Sequence, residues 1–342
     1  MTRQDLYKEM VKLTPSNYSG QQSFIEHLSN MFDKYLTLLS EFDEKDIQIE
    51  WPKYVEKIRE YCQAIEEVIR LYYSGLYFQA YNVLKGQIER LPKWRINHKR
   101  PFYRMRVVDE GTVPTYEGMF HIAFDKRGII KTQRYSAPGF PCLYLGILPS
   151  TCWEEMDRPD LRKTFVSLFQ PEGFYSFLKF SVPNEQTWMT GERKNIVFMN
   201  DLEYFPFVIA SMVIVRNKYD VFKPEYIIPQ LVMQWLIENR RGISQKDKSS
   251  IHIPIGVIYT SVHYNVFDAG QNDLDYINIA VPAYYNSEHK YSTALRTFYS
   301  YTDPILCSDG AYEDDVQKNR DRLLAIWLEL NNREEYPLKK LT

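Results

Sequence analysis

The spacing of apolar residues changes near residue 100, and this change limits most strongly what the chain can fold into. Before that point, apolar residues recur at intervals of three and four, which places them on one face of a helix. Two long stripes are Ile25, Leu28, Phe32, Tyr35 and Leu39, and then Val55, Ile58, Cys62, Ile65, Ile69 and Tyr72. After the stop signal Ser74-Gly75, a third stripe is Leu76, Ala80, Val83 and Leu91. We therefore predict a helical region over residues 1–97.

From Phe102 onwards, short β-prone runs alternate with Gly and Pro, as is typical of strands joined by turns. The predicted strands are residues 102–108, 142–146, 174–182, 257–262 and 277–281. Helix-like pieces lie among them, at 226–239 and after Thr151, and an amphipathic helix over Val316–Leu330 follows in the tail. The mixture predicts an α+β domain over 98–342 rather than a regular βαβ repeat. The sequence His98–Pro101 marks the junction.

Charge and composition exclude several classes of protein. The formal net charge of −2 argues against a nucleic-acid partner, which needs a basic surplus. We find no apolar run of about 18 residues and no signal segment at the start, so we expect a cytoplasmic protein without a membrane partner. The four cysteines form no CxxC pair and the six histidines are scattered, so we expect neither disulfides nor a metal site.

Familiar catalytic motifs are absent from the sequence. It contains no GxGxxG, P-loop, HExxH or GxSxG motif, which argues against a Rossmann oxidoreductase, a nucleoside triphosphatase and a zinc hydrolase. Ser261-Val262-His263 places a hydroxyl and an imidazole on one strand face. A general base must be aimed at its nucleophile, however, and neighbours on one strand rarely achieve this. We do not predict a serine nucleophile.

Three segments carry the candidate chemistry when they are read in order. They are Phe102–Arg106, then Gln133–Gly146 together with Trp153-Glu154-Glu155, and finally Gly256–Ser261 followed by Asn278. An arginine opens the domain, a second arginine precedes a turn and a Leu-Tyr-Leu strand, a glutamate follows that strand, and a Tyr-x-Ser comes late. Each segment alone is weak evidence, but the ordered set is specific.

This ordered set resembles the RES family of bacterial toxins, over residues 101–285. The resemblance implies a mixed sheet similar to that of ADP-ribosylating toxins and an activity on NAD⁺, as a glycohydrolase, a phosphorylase or an ADP-ribosyltransferase. The chain departs from small RES toxins in its helical N-terminal region, in a longer segment between Glu155 and Ser261, and in its tail. It also has Ser136 where the family often has Asn.

The resemblance implies roles for nine residues. The catalytic set is Glu155, Arg104 and Ser261, with Glu154 as the alternative to Glu155; the NAD-binding set is Tyr103, Arg134, Tyr135, Tyr144, Gln230 and Asn278. Cleavage of the nicotinamide–ribose bond develops positive charge, which one carboxylate can stabilise. Arginine's planar fork suits a diphosphate, aromatic rings stack on bases, and a hydroxyl can bond a phosphate or ribose oxygen.

Several of these residues also have a purely structural interpretation. Arg104 and Arg106 could form a solvated rim, and Arg134 could be a loop arginine that binds carbonyl groups. Glu154 and Glu155 could be first-turn helix charges. Tyr144 fits a strand core and Ser261 a strand end. Local sequence leaves these alternatives open, and the ordered combination alone favours the functional interpretation.

The sequence therefore predicts an enzyme that degrades NAD⁺, its substrate, and passes ADP-ribose to water or phosphate without a metal. Its biological role would be to arrest growth, either in a toxin–antitoxin pair or in defence against phage. The alternatives are a protein mono-ADP-ribosyltransferase and a non-catalytic nucleotide-binding or interaction protein. The expected partners are an antitoxin or regulatory protein and a second copy of the chain, and the N-terminal helices could be a sensor, an oligomerisation element or a restraint.

Overall fold

The structure is a computed structural model, and it describes residues 1–19, 21–42, 49–96, 100–240, 253–263, 276–310, 314–332 and 334–341. The predicted boundary between residues 97 and 98 lies outside these ranges.

Four helices form the N-terminal region: α1 (Arg3–Val11), α2 (Phe24–Glu41), α3 (Trp51–Tyr73) and α4 (Tyr77–Ile88). Thr2 and Ser23 cap the first two with their side chains, each in a reciprocal capping box with an acidic residue three positions later. Helix α3 ends at Ser74, and Gly75 follows with a positive φ of 76°. The predicted stripes are buried in α2 and α3, apart from their partly buried end residues Ile25 and Tyr72. A helical N-terminal region is confirmed, but residues 94–96 within the predicted bounds form a strand. In the third predicted stripe, Leu76 is exposed.

One sheet contains all the described strands. They are β1 (Trp94–Ile96), β2 (Phe102–Val107), β3 (Cys142–Gly146), β4 (Thr164–Pro171), β5 (Tyr175–Phe180), β6 (Pro254–Thr260), β7 (Ile277–Pro282), β8 (Tyr299–Tyr301) and β9 (Ile305–Leu306). Their order is β1-β5-β6-β7-β3-β2-β4-β8, with β9 paired to β4. Strands β5 and β6 are parallel, and the other described pairings are antiparallel. The predicted α+β class is confirmed.

Six further helices accompany the sheet: α5 (Pro149–Glu155), α6 (Glu185–Met189), α7 (Lys194–Ser211), α8 (Ile227–Arg240), α9 (Thr293–Phe298) and α10 (Val316–Leu330). The C-terminal half of α7 is buried on all sides. A helix that is apolar all round has no stripe, so its sequence gives no helical periodicity.

The two faces of the sheet are covered differently. We call the face that carries Tyr103, Tyr144 and Tyr259 the helical face, because α5, α7, α8 and α10 lie over it. The opposite face carries Phe102, Leu145 and Ile279, which pack in a separate cluster with residues of α9 and β8.

Helices α1 to α4 share one core with the helical face. Their buried residues belong to the same cluster as α7, α8 and the sheet residues Tyr259 and Ala280. Helix α3 contacts both α7 and α8, and α4 contacts α8. Removal of residues 1–97 would therefore expose a large apolar surface. None of the helices within the described ranges is both long and apolar enough to cross a membrane.

Candidate active site

Glu155 is the last residue of α5 and lies half-buried over the helical face. Helix α5 packs closely on β3 because Gly146 has no side chain. A Cβ atom there would meet the Cys152 Sγ at 2.7 Å. The Asn278 Nδ2 donates to the Glu155 Oε1 at 2.9 Å, and Asn278 itself is 3% exposed. A buried amide therefore fixes the orientation of the carboxylate.

The neighbouring Glu154 has a different environment. One of its carboxylate oxygens pairs with Arg158 at 2.6 Å and the other with Arg320 of α10 at 2.9 Å. The side chain is buried, so two cations compensate its charge. The sequence left open which of the two glutamates is functional, and these pairs give Glu154 a structural role.

A row of residues runs across the helical face beside Glu155. Tyr259 of β6 lies directly opposite Asn278 of β7, which in turn lies opposite Gly146 of β3. The Tyr259 ring is centred 4.6 Å from that of Tyr135, which precedes β3. Tyr259 was not predicted as a site residue. The signal was the Tyr-x-Ser pattern, since Tyr259 and Ser261 alternate onto the same face.

The turn before β3 is held over this face by two side chains. The Tyr144 hydroxyl donates to the Ser136 Oγ at 3.0 Å. From α8, the Gln230 Nε2 donates to the carbonyl oxygens of Gln133 at 3.0 Å and Ser136 at 3.2 Å. Gln230 therefore fixes the turn that carries Tyr135.

Arg134 binds carbonyl groups, as its structural interpretation predicted. Its guanidinium donates to the carbonyl oxygen of Ser211, the last residue of α7, at 2.6 Å and to that of Val213 at 3.1 Å. Val213 also pairs with Ser16, so the N-terminal region supports this arginine. The guanidinium lies 5.3 Å from the centre of the Tyr226 ring.

Three tyrosines are close enough to both Arg134 and Glu155 for each charge to affect their pKa values. Burial raises the pKa values of Tyr135, Tyr226 and Tyr259 above their usual range; Glu155 adds to the increase and Arg134 opposes it. These phenols therefore remain protonated at neutral pH. We call Tyr135, Tyr226 and Tyr259 together the tyrosine cluster.

Ser261 continues β6 on the helical face. Its N–H donates to the Tyr276 carbonyl oxygen at 2.9 Å, and its buried hydroxyl accepts from the His263 N–H at 3.0 Å. This bond comes from the His263 backbone and not from the imidazole.

The structure does not bring Arg104 or Tyr103 into the tyrosine cluster. Alternation along β2 places Arg104 on the opposite face, beside Ser167 of β4. Its Nη1 donates to the Tyr144 carbonyl oxygen at 3.0 Å. Tyr103 is on the helical face, but it packs against α5 and α10, and its hydroxyl accepts from the Asn331 Nδ2 at 2.9 Å.

A comparison with known proteins gives the family. The chain is 31% identical over 312 residues to the Bacillus subtilis (strain 168) protein described as "Putative toxin YopC", in an alignment that covers 85% of this chain and 67% of the relative. The chain belongs to the YopC family. No family model and no solved structure matches it.

In this member of the YopC family, a single oriented carboxylate lies beside a cluster of aromatic rings. Within the described ranges, no three His, Cys, Asp or Glu side chains are grouped so that they could hold a metal ion. The polar groups on the helical face can bind, orient and stabilise positive charge at Glu155.

Proposed function

We propose that this YopC-family protein is a toxin that degrades NAD⁺ by cleaving the bond between nicotinamide and ribose. The observation that carries the proposal is the Glu155 carboxylate, which Asn278 orients beside the tyrosine cluster. The description of its relative as a toxin and the resemblance to RES toxins both support this function.

The reaction needs one carboxylate. The bond between ribose C1′ and the nicotinamide nitrogen breaks with its electron pair going to the pyridinium ring, so nicotinamide leaves neutral without a general acid. The sugar becomes an oxocarbenium-like cation, which the negative charge of Glu155 stabilises. Water or phosphate then forms the new C1′–O bond; a water nucleophile loses its proton to solvent.

The groups around Glu155 would bind the rest of the substrate. The rings of Tyr135 and Tyr259 offer surfaces on which nicotinamide or adenine can stack. Arg134 uses two N–H groups for carbonyl oxygens, and a guanidinium carries five, so others remain for a diphosphate. Arg134 and Glu155 act on the same three tyrosines with opposite charges, which suits a substrate with a cationic and an anionic end.

The test is incubation of the purified protein with NAD⁺, with and without inorganic phosphate, followed by chromatography of nicotinamide and the ADP-ribose product. Glu155→Gln keeps the shape and should lower the rate by at least about a hundredfold, as removal of one stabilising group commonly does. Product that requires phosphate identifies phosphate as the acceptor, and ADP-ribose attached to protein identifies a transferase.

Glu154→Gln is the matched control. It removes the same charge one residue away, where two arginines would lose their partner, so it should lower the melting temperature and keep NAD⁺ cleavage. Wild-type protein that leaves NAD⁺ intact, or a Glu155→Gln variant as active as wild type, would contradict the proposal.

A further inference from the structure

A cavity of about 470 Å³ lies beside β2 on the opposite face of the sheet. Its walls include Arg106, His121, Lys126, Lys290 and Tyr291. Cavities of this size accommodate small-molecule ligands. Because Arg106 and Arg104 share a face of β2, the cavity and Glu155 lie on different sides of the sheet.

The charges of the cavity are unbalanced. Three cations line it, namely Arg106, Lys126 and Lys290, against one carboxylate, the exposed Glu117, which leaves an excess of two positive charges. Within the part of the chain that the structure describes, none of these three cations forms an ion pair. Arg106 donates to the Gly118 carbonyl oxygen, and the Lys290 Nζ lies 5.5 Å from the centre of the Tyr291 ring.

A fourth cation lies behind the cavity wall. Arg104 precedes Arg106 by two residues on the same face, and its Nε is buried without an acceptor among the described residues. Burial, and then the charge of Arg106, lower the pKa of Arg104 to about 10, so it remains charged at neutral pH. A buried charge without a counter-ion is unfavourable, and a bound anion would relieve this cost.

His121 adds no positive charge to the cavity. Burial lowers the pKa of His121 to about 4, and its Nε2 accepts a hydrogen bond from the Ser292 N–H at 2.8 Å. The neutral ring leaves recognition of charge to the arginine and the two lysines.

We propose that this cavity binds a phosphate-bearing small molecule at a site separate from the tyrosine cluster. A phosphate dianion matches the excess of two positive charges, and Arg106 and the flexible lysines supply donors that suit its oxygens. A cationic ligand would be repelled, and a neutral one would leave the cations uncompensated. The Tyr291 ring at the wall gives an aromatic base a surface for stacking.

The experiment measures binding by calorimetry with three probes: inorganic phosphate, pyrophosphate and AMP. It uses Glu155→Gln protein as the background, so that substrate turnover cannot interfere. Lys126→Gln/Lys290→Gln removes two exposed lysines without disturbing the core. Lys8→Gln/Lys34→Gln removes two exposed lysines from α1 and α2 and is the control with equal net charge.

We expect the Lys126/Lys290 variant to bind the phosphate probes about a hundredfold more weakly, at about tenfold for each lysine removed, and the control to bind like its parent. Tighter binding of AMP than of inorganic phosphate assigns the site to a nucleotide, and equal binding assigns it to free phosphate. Binding of none of the probes, or equal affinities in the two lysine variants, would overturn the proposal. Neither result depends on whether the protein cleaves NAD⁺.

Discussion

Charged side chains have different kinds of partners on the two faces of the sheet. On the helical face, Glu155 has an amide donor and Glu154 has two arginines, so each carboxylate is held by a partner. On the opposite face, Arg104 and Arg106 share one strand and bind only carbonyl oxygens in the bonds that the structure describes. Both carboxylates of the helical face have partners, whereas the arginines of the opposite face form no ion pair among the residues that the structure describes.

Arg320→Met should lower the free energy of unfolding more than any other substitution considered for the two faces. Arg320 is one of the two partners of the buried Glu154 carboxylate, and its side chain is 26% exposed. Loss of a hydrogen bond between charged groups should lower the free energy of unfolding by about 1.5–3 kcal/mol. Chemical denaturation measures this change. An unchanged stability would show that Arg158 alone satisfies Glu154.

Asn278→Ala tests whether Asn278 orients Glu155 on the helical face. The variant removes the donor that orients Glu155, so we expect kcat for NAD⁺ cleavage to fall by about tenfold to a hundredfold, as for other groups that orient a functional side chain. KM should change little, because Asn278 acts through Glu155. Kinetics at varied NAD⁺ concentrations separate the two constants. A rise in KM at unchanged kcat would instead make Asn278 a substrate-binding residue.

Arg104→Met makes the same substitution on the opposite face of the sheet. It should change the free energy of unfolding in the opposite direction to Arg320→Met. It removes a partly buried cation that has no counter-ion among the described residues, and it loses one bond to the Tyr144 carbonyl oxygen. We expect the ligand-free protein to become more stable by about 1 kcal/mol, because replacing buried charge by apolar packing is often stabilising. Denaturation in phosphate-free buffer measures it. A destabilisation like that of Arg320→Met would mean that the Arg104 charge is compensated.

The sequence predicted the elements better than their faces. The stripes of α2 and α3 follow from helical periodicity, and β2, β3, β5, β6 and β7 follow from the alternation of β-prone runs with Gly and Pro. Strands β4, β8 and β9 were not predicted. Helix α7 was not predicted, because a helix buried on all sides has no stripe. The register of β2 decides that Tyr103, and not Arg104, lies on the helical face, and a register depends on pairing partners that are distant in sequence.

The candidate site shows the same division. The sequence selected the Glu154-Glu155 pair, but only the position of α10 shows that Arg320 reaches Glu154. Likewise, the carbonyl partners of Arg134 lie 77 and 79 residues away, so local sequence could not choose between its two interpretations. The residue types indicate which side chains could take part in chemistry. Contacts between residues distant in sequence decide which of these side chains has its charge neutralised, as in Glu154.

The catalytic role of Glu155 is tested by the rate of nicotinamide release from NAD⁺ by Glu155→Gln, measured beside that of Glu154→Gln. We predict that the Glu155 variant releases nicotinamide at least about a hundredfold more slowly than the Glu154 variant, since only Glu155 is free to stabilise the transition state. Equal rates in the two variants would show that the carboxylate held by Asn278 is not the catalytic group.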